Sequence, residues 1–308
     1  MRIAILGATS QIAKDLVLSF SRQNDHELAL FARRPEVVKK WRANIGLPDG
    51  FAIADFAAFR GEEHFDAIIN FVGSGNPAQT AAVGASIFDV TLQYDEIALD
   101  YLRQHPNCRY LFLSSGAAYG SVFDEPADEN TNAVIAINNL KPQDWYAVAK
   151  LYSECRHRSL PHLNIVDIRI FNYFSCTQDV NSRFLIADIL RAIRDGQVLK
   201  TSPEYIVRDF LHPSDFYKLV NALLSSPATN AVIDAYSRAP IDKPDLLVAM
   251  KEEFGLRYEI TADSVGVNAT GGKPRYYSLN TKAANFGYQP SLTSLEGILM
   301  QSRKILNP

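Results

Sequence analysis

Tyr146 and Lys150 stand four residues apart in Tyr146-Ala147-Val148-Ala149-Lys150, which places them on one face of a helix. An ammonium group beside a phenol lowers the phenol's pKa, because it favours the phenolate. A phenol tuned in this way takes or gives a proton at a carbonyl or hydroxyl near neutral pH. Ser115, in the run Leu111-Phe112-Leu113-Ser114-Ser115-Gly116-Ala117-Ala118-Tyr119-Gly120, offers a hydroxyl for the same oxygen. Together the three imply proton movement at a carbon–oxygen bond, with the redox chemistry left to a cofactor.

A second constellation points to that cofactor. Gly7-Ala8-Thr9-Ser10-Gln11-Ile12-Ala13 lies between a first apolar strand and a first helix. A tight turn there aims helix N-terminal N–H groups at a pyrophosphate, and small residues let the backbone approach it. Gly7, Thr9, Ser10, Gln11 and Ile12 are the candidate phosphate contacts, although Ser10 and Ala13 stand where glycine is usual. After the second strand comes Ala32-Arg33-Arg34-Pro35. NAD-binding folds place an acidic residue near this point, whereas an arginine pairs with the 2′-phosphate of NADP. Arg33 therefore leans the reading from NAD toward NADP. Asp55 is placed to accept from the adenine amino group or to cap the turn at Phe56, and Phe56 is itself a candidate cofactor contact.

These residues need a scaffold. Short apolar runs at Ile3–Leu6, Leu28–Phe31, Phe51–Ala54, Ala67–Phe71, Arg109–Leu113 and Ile165–Ile170 read as strands. Helical stretches read at Ile12–Phe20, Pro35–Asn44, Ala78–Gln104 and Trp145–Ser159. That alternation predicts an α/β fold, a Rossmann-type doubly wound parallel sheet, because parallel neighbours need crossover connections. Past Phe171 the rhythm weakens. Helices are expected at Arg183–Arg194, Asp215–Leu224 and Lys243–Phe254, with strands at Val232–Tyr236 and Tyr258–Thr261. The expected division is a dinucleotide-binding domain over 1–171 and a smaller C-terminal substrate-binding region over 172–308, with segments such as 205–225 returning to the first. The cleft between them is the expected ligand site.

Composition narrows the partners. Lys plus Arg is 31 against 34 for Asp plus Glu, a net charge of −3, which gives no global pull toward nucleic acid or an anionic membrane. No apolar stretch is long enough to span a bilayer. Cys108, Cys155 and Cys176 have an odd count and no CxxC spacing. They point to a reducing, cytoplasmic setting with no disulfide framework, and no metal-binding pattern is present.

With these motifs in order, the chain resembles the extended short-chain dehydrogenase/reductase superfamily, in its NAD-dependent epimerase/dehydratase branch. Ser115 matches the catalytic serine, and Tyr146 with Lys150 matches the YxxxK pair. Asp66-Ala67-Ile68-Ile69-Asn70-Phe71-Val72-Gly73 is similar to the strand-four motif, and the resemblance implies cofactor contacts at Phe71, Val72 and Gly73 as well as at Tyr146 and Lys150. Arg169-Ile170-Phe171-Asn172 resembles the RxFN motif, and Val207–Asp215 resembles the RDFxHVxD signature of nucleotide-sugar enzymes. The resemblance therefore implies Asn172 and Arg208 as substrate contacts, with Arg208 at a pyrophosphate. Gly272-Lys273-Pro274-Arg275 is loosely similar to a late basic phosphate contact.

Several departures narrow the chemistry. No Asp-Glu pair follows Ser115, and Ala117 replaces the cysteine of epimerase-reductases. Asp89 stands at a usual asparagine, and residues 121–141 form a long insert between the serine and the tyrosine. The expectation is an NAD(P)-dependent nucleotide-sugar oxidoreductase, either a 4-keto-sugar reductase or a C4 epimerase, with Tyr146 as acid and base. The alternatives are an NADPH-dependent reductase of a non-sugar carbonyl and a non-catalytic cofactor-binding protein. The family also implies a homodimer through helices within 78–104 and 145–158.

Overall fold

The computed structural model describes residues 1–23, 26–48, 50–59, 61–73, 84–182, 184–261 and 273–307. Seven strands form one all-parallel sheet in the order β3-β2-β1-β4-β5-β6-β11. They are β1 Arg2–Leu6, β2 Glu27–Phe31, β3 Ala52–Ala54, β4 Ala67–Asn70, β5 Arg109–Ser115, β6 Ile165–Ile170 and β11 Asn230–Asp234. The order reverses direction at β1, the arrangement of a doubly wound sheet. Along β1, Ile3 and Ile5 enter one core while Ala4 and Leu6 enter another, so both faces are dry.

Helices cover both faces. On one, α1 (Gln11–Gln23) and α2 (Pro35–Asn44) bury Leu16, Phe20 and Val38. On the other, α3 (Ser86–Gln104) buries Ala98, Leu99 and Leu102, with α4 (Trp145–Arg158) packed against it. The predicted helix from Ala78 begins at Ser86 among the described residues, and 78–83 lie outside them.

The second half is more divided. Strand β7 (Asn172–Tyr173) pairs with β10 (Phe210–Leu211), and β8 (Val198–Thr201) pairs with β13 (Arg257–Ile260). Strand β9 (Val207–Arg208) lies between β12 (Ile241–Asp242) and β14 (Arg275–Tyr276). A third apolar core joins α5 (Leu185–Arg194), α7 (Lys243–Phe254) and α8 (Ser294–Leu306) through Ile189, Leu246, Met250 and Ile298. Between these pieces the chain re-enters the first body. Helix α6 (Pro213–Ser225) packs on α1, and β11 pairs with β6 at the sheet edge. No helix among the described residues is long and apolar enough to cross a membrane.

Candidate active site

One cavity of 1670 Å³ runs across the carboxyl ends of β2, β1, β4, β5 and β6 into the second half of the chain. Ligands of open α/β sheets bind at this edge. Every predicted site residue except Asp55 lines it: Gly7, Thr9, Ser10, Gln11, Ile12, Arg33, Phe56, Phe71, Val72, Gly73, Ser115, Tyr146, Lys150, Asn172 and Arg208. Asp55 instead caps the 3₁₀ turn Phe56–Ala58, accepting from the Ala58 N–H at 3.2 Å.

At the first end the turn after β1 is tight. Gly7 and Ala8 both donate to Phe31 O, and Ser10 donates back to Gly7 O. Gly7 has φ +81°, and a Cβ there would meet the backbone of Phe71 and Val72 at 2.9 Å. Glycine is required at this point, both for conformation and for clearance. Ala13 is already helical and its side chain is fully buried in the core, so the missing glycine leaves a filled contact rather than a distorted turn. Lys14, Arg34 and Trp41 join Arg33 in the wall, with the Lys14 ammonium 5.7 Å from the Trp41 ring centre. Burial lowers the pKa of Lys14, against the pull of Asp15.

The middle of the cavity holds the proton-active groups. Lys150 is buried and donates to Leu113 O at 2.7 Å, with its Nζ 4.3 Å from the Phe112 ring centre and 5.9 Å from that of Tyr146. Burial pushes the Lys150 ammonium down to about 8, although Asp95, Glu154 and Asp167 pull it up. The Tyr146 phenol is pushed up by burial, opposed by a hydrogen bond with Ser115. The expected lowering of the phenol is therefore not what the structure gives, because burial outweighs the Ser115 hydrogen bond. Ser115 closes β5 and its Oγ accepts from the Ala117 N–H at 3.1 Å.

Buried ionic side chains fix these elements from below. His157 on α4 bridges Asp167 on β6 at 2.6 Å and Asp95 on α3 at 2.8 Å. Tyr110 donates to the same Asp95 oxygen and receives from Asn70. Asn70 Oδ1 in turn accepts from the Val72 N–H, shaping the turn after β4 that lines the cavity.

At the far end, Arg208 is buried and donates to Val207 O and Pro274 O. Burial pulls its guanidinium down to about 10. Asn172 donates to Asp209 O and Tyr276 O. Lys273, whose ammonium burial pushes down to about 8, donates to Gly120 O and lies 4.7 Å from the Tyr276 ring centre. Gly272 of the late basic run lies outside the described residues.

The NAD dependent epimerase/dehydratase family model matches residues 3–237, from the first strand to just past the seventh. The chain belongs to that family. Its fold is that of the extended short-chain dehydrogenases/reductases, a fold of enzymes, as expected from the motifs. Compared with curated proteins by sequence, this family member has no match. Among solved structures it resembles the UDP-glucose 4-epimerase of Thermotoga maritima with UDP-glucose (TM-score 0.77, 17% identity, all of both chains). It also resembles the dTDP-glucose 4,6-dehydratase of Bacillus anthracis in complex with NAD (TM-score 0.77, 16% identity, 98% of this chain and 96% of that one). A third is the UDP-glucose 4-epimerase of Thermus thermophilus in complex with NAD (TM-score 0.77, 18% identity, 100% and 99%).

Sequence reasoning missed Lys14, Trp41 and Tyr276 in the wall, and Phe123 packed behind Tyr276. Lys14 and Trp41 are apart in sequence and meet only when α1 and α2 pack. Tyr276 and Phe123 meet Phe171 in a small aromatic cluster. The visible signal for Tyr276 was the doublet Tyr276-Tyr277 after Lys273-Pro274-Arg275, but no periodicity marks it.

Proposed function

We propose that this protein is an NAD(P)-dependent nucleotide-sugar oxidoreductase, a 4-keto-sugar reductase or a C4 epimerase. The observation that carries the reading is the single cavity that Gly7, Ser115, Tyr146, Lys150 and Arg208 share. A dinucleotide fits the residues present, since the Gly7 turn leaves only the clearance that a Cβ would fill and the cavity follows the strand ends. Bound NAD(P) would supply the hydride acceptor or donor. Tyr146 takes the hydroxyl proton when an alcohol is oxidised and gives it when a ketone is reduced. Ser115 holds the reacting oxygen. Lys150 holds the nicotinamide ribose and favours the phenolate once charge enters the site.

Arg33 and Arg34, both exposed at the cavity edge, and Lys14 beside Trp41 offer three cations to a 2′-phosphate, which favours NADP. At the other end Arg208 and Lys273 flank Tyr276 and suit a pyrophosphate. The structural neighbours named above carry UDP-glucose or NAD, which supports the same substrate class. An uncharged carbonyl substrate would leave these buried cations without a purpose.

Residues 1–171 would bind the cofactor and most of 172–308 the sugar nucleotide. Phe88 and Leu92 on α3 and Tyr152 on α4 are exposed apolar residues around one shallow depression, which supports a homodimer through those two helices. The buried Cys108 and the unpaired Cys155 and Cys176 fit a reducing cytoplasm.

The test is mass spectrometry of what leaves the purified protein on denaturation, followed by NADH and NADPH titration of the emptied protein. Retained dinucleotide supports an epimerase that recycles it. An empty protein that prefers NADPH supports a reductase. Binding of neither overturns the enzyme reading.

A further inference from the structure

The hydroxyl of Tyr276 lies 3.3 Å from Ser115 Oγ, although 161 residues separate them. The ring is buried, with Phe123 4.8 Å and Phe171 5.1 Å away between ring centres, so the phenol has little freedom to turn elsewhere. A buried phenol must place its one proton on an acceptor. The serine hydroxyl has two acceptor positions and one proton. The Ala117 N–H occupies one position at 3.1 Å.

We propose that Tyr276 is a positioning residue that occupies the second acceptor position of Ser115 and so directs the serine proton toward Tyr146. The chain then reads Tyr276 O–H to Ser115 Oγ, and Ser115 O–H to the Tyr146 oxygen. Each bond polarises the next in the sense that stabilises a phenolate at Tyr146. Burial pushes the Tyr276 phenol well above the ordinary range, although Ser115, Arg208 and the Ala117 N–H pull it down, so it keeps its proton near neutral pH. The inference rests on the proposed roles of Tyr146 and Ser115, but its test does not depend on turnover.

The experiment is a phenolate ultraviolet titration of the full-length protein, with Tyr146 isolated as the difference between a chain that has it and the same chain carrying Tyr146→Phe. Tyr276→Phe keeps the ring and removes the donor. It is expected to raise the Tyr146 pKa by about one unit, the effect of losing one hydrogen bond to a charged acceptor. In a Ser115→Ala background the same substitution is expected to add nothing, because the path runs through the serine. Ser115→Ala alone is expected to raise the Tyr146 pKa at least as far, which tests the chain even if Tyr276→Phe folds poorly.

An unchanged Tyr146 pKa in Tyr276→Phe, an equal shift with and without Ser115, or no shift in Ser115→Ala would each overturn the proposal. Failure of the functional reading is separate. Tyr146→Phe would then retain NADPH-dependent turnover of a 4-keto-sugar nucleotide, whatever the titration shows.

Discussion

Glu154 stands one helical turn beyond Lys150, and its carboxylate forks onto the guanidinium of Arg169 through Nε and Nη2. The same carboxylate takes the hydroxyl of Ser114, the residue before Ser115. Arg169 faces Asp234 on β11 and lies 4.3 Å from the Tyr119 ring centre. One ion pair therefore ties the helix that carries Tyr146 and Lys150 to the strand that carries Ser115 and to the outer strands of the sheet.

Removing the Glu154 charge leaves Arg169 with only its longer pair to Asp234 at 3.5 Å. Glu154→Gln is expected to lower stability by about 1–3 kcal/mol. Thermal or urea unfolding measures the loss. A change within a few tenths of a kcal/mol would mean that water or a neighbour compensates Arg169.

His157 predicts a pH dependence. Burial opposes its charge, but Asp167 and Asp95 outweigh burial and push its pKa up to about 9, above the ordinary imidazole value of 6.5. A raised folded-state pKa gives stability that is full below the unfolded value and lost as pH rises through the folded one. Stability is expected to fall between about pH 6.5 and 9, and His157→Gln is expected to flatten that slope. Unfolding midpoints of both proteins across that range decide it.

Gly7→Ala is expected to fail on two counts, a left-handed φ of +81° and a Cβ 2.9 Å from the backbone of Phe71 and Val72. The cost is at least about 1–2 kcal/mol, with weaker dinucleotide binding by fluorescence titration. Ser10→Gly makes the useful contrast, because it restores the usual residue, and retained binding there would localise the defect to Gly7.

Lys150 sets the alkaline limit. Burial pushes its ammonium down to about 8, so kcat/KM of the free enzyme is expected to decline above that pH. Lys150→Met is expected to lose the decline together with most of the activity. A flat profile to pH 10 in the wild type would show that Lys150 works without its charge.

Much of this site was legible in sequence because it is local. The turn at Gly7, the Ser115 strand end and the Tyr146–Lys150 pair each depend on a few neighbouring residues and fell where motif spacing put them. Strands β1, β2, β4, β5 and β6 were legible because burial on both faces makes them largely apolar runs, whereas β3 at the sheet edge is only partly buried. The edge strand was misplaced by two residues, Val232–Tyr236 against Asn230–Asp234, since Asn230 and Asp234 are polar ends of a strand held by pairing with β6. The two-residue strands β7, β9, β10, β12 and β14 are too short to show any period. Tyr276 reaches Ser115 only because β14 pairs with β9, a relation that no local pattern records.

The insert after Gly120 is not a free loop. Val134 N donates to Tyr119 O, Arg275 N to Phe123 O and Leu279 N to Ala127 O, so residues 121–134 are stitched to the late segment 275–279. Phe123 adds its ring to the cluster around Tyr276.

The sheet also carries a consequence for how the chain is made. Its last strand, β11, is synthesised about sixty residues after the β6 edge it covers, with most of the substrate-side elements in between. Until residue 234 leaves the ribosome, β6 presents an unpaired, apolar rim. Such a rim is a template for another copy. A fragment that stops near 171 should therefore self-associate, and slowing translation between 171 and 234 should lower the yield of soluble protein.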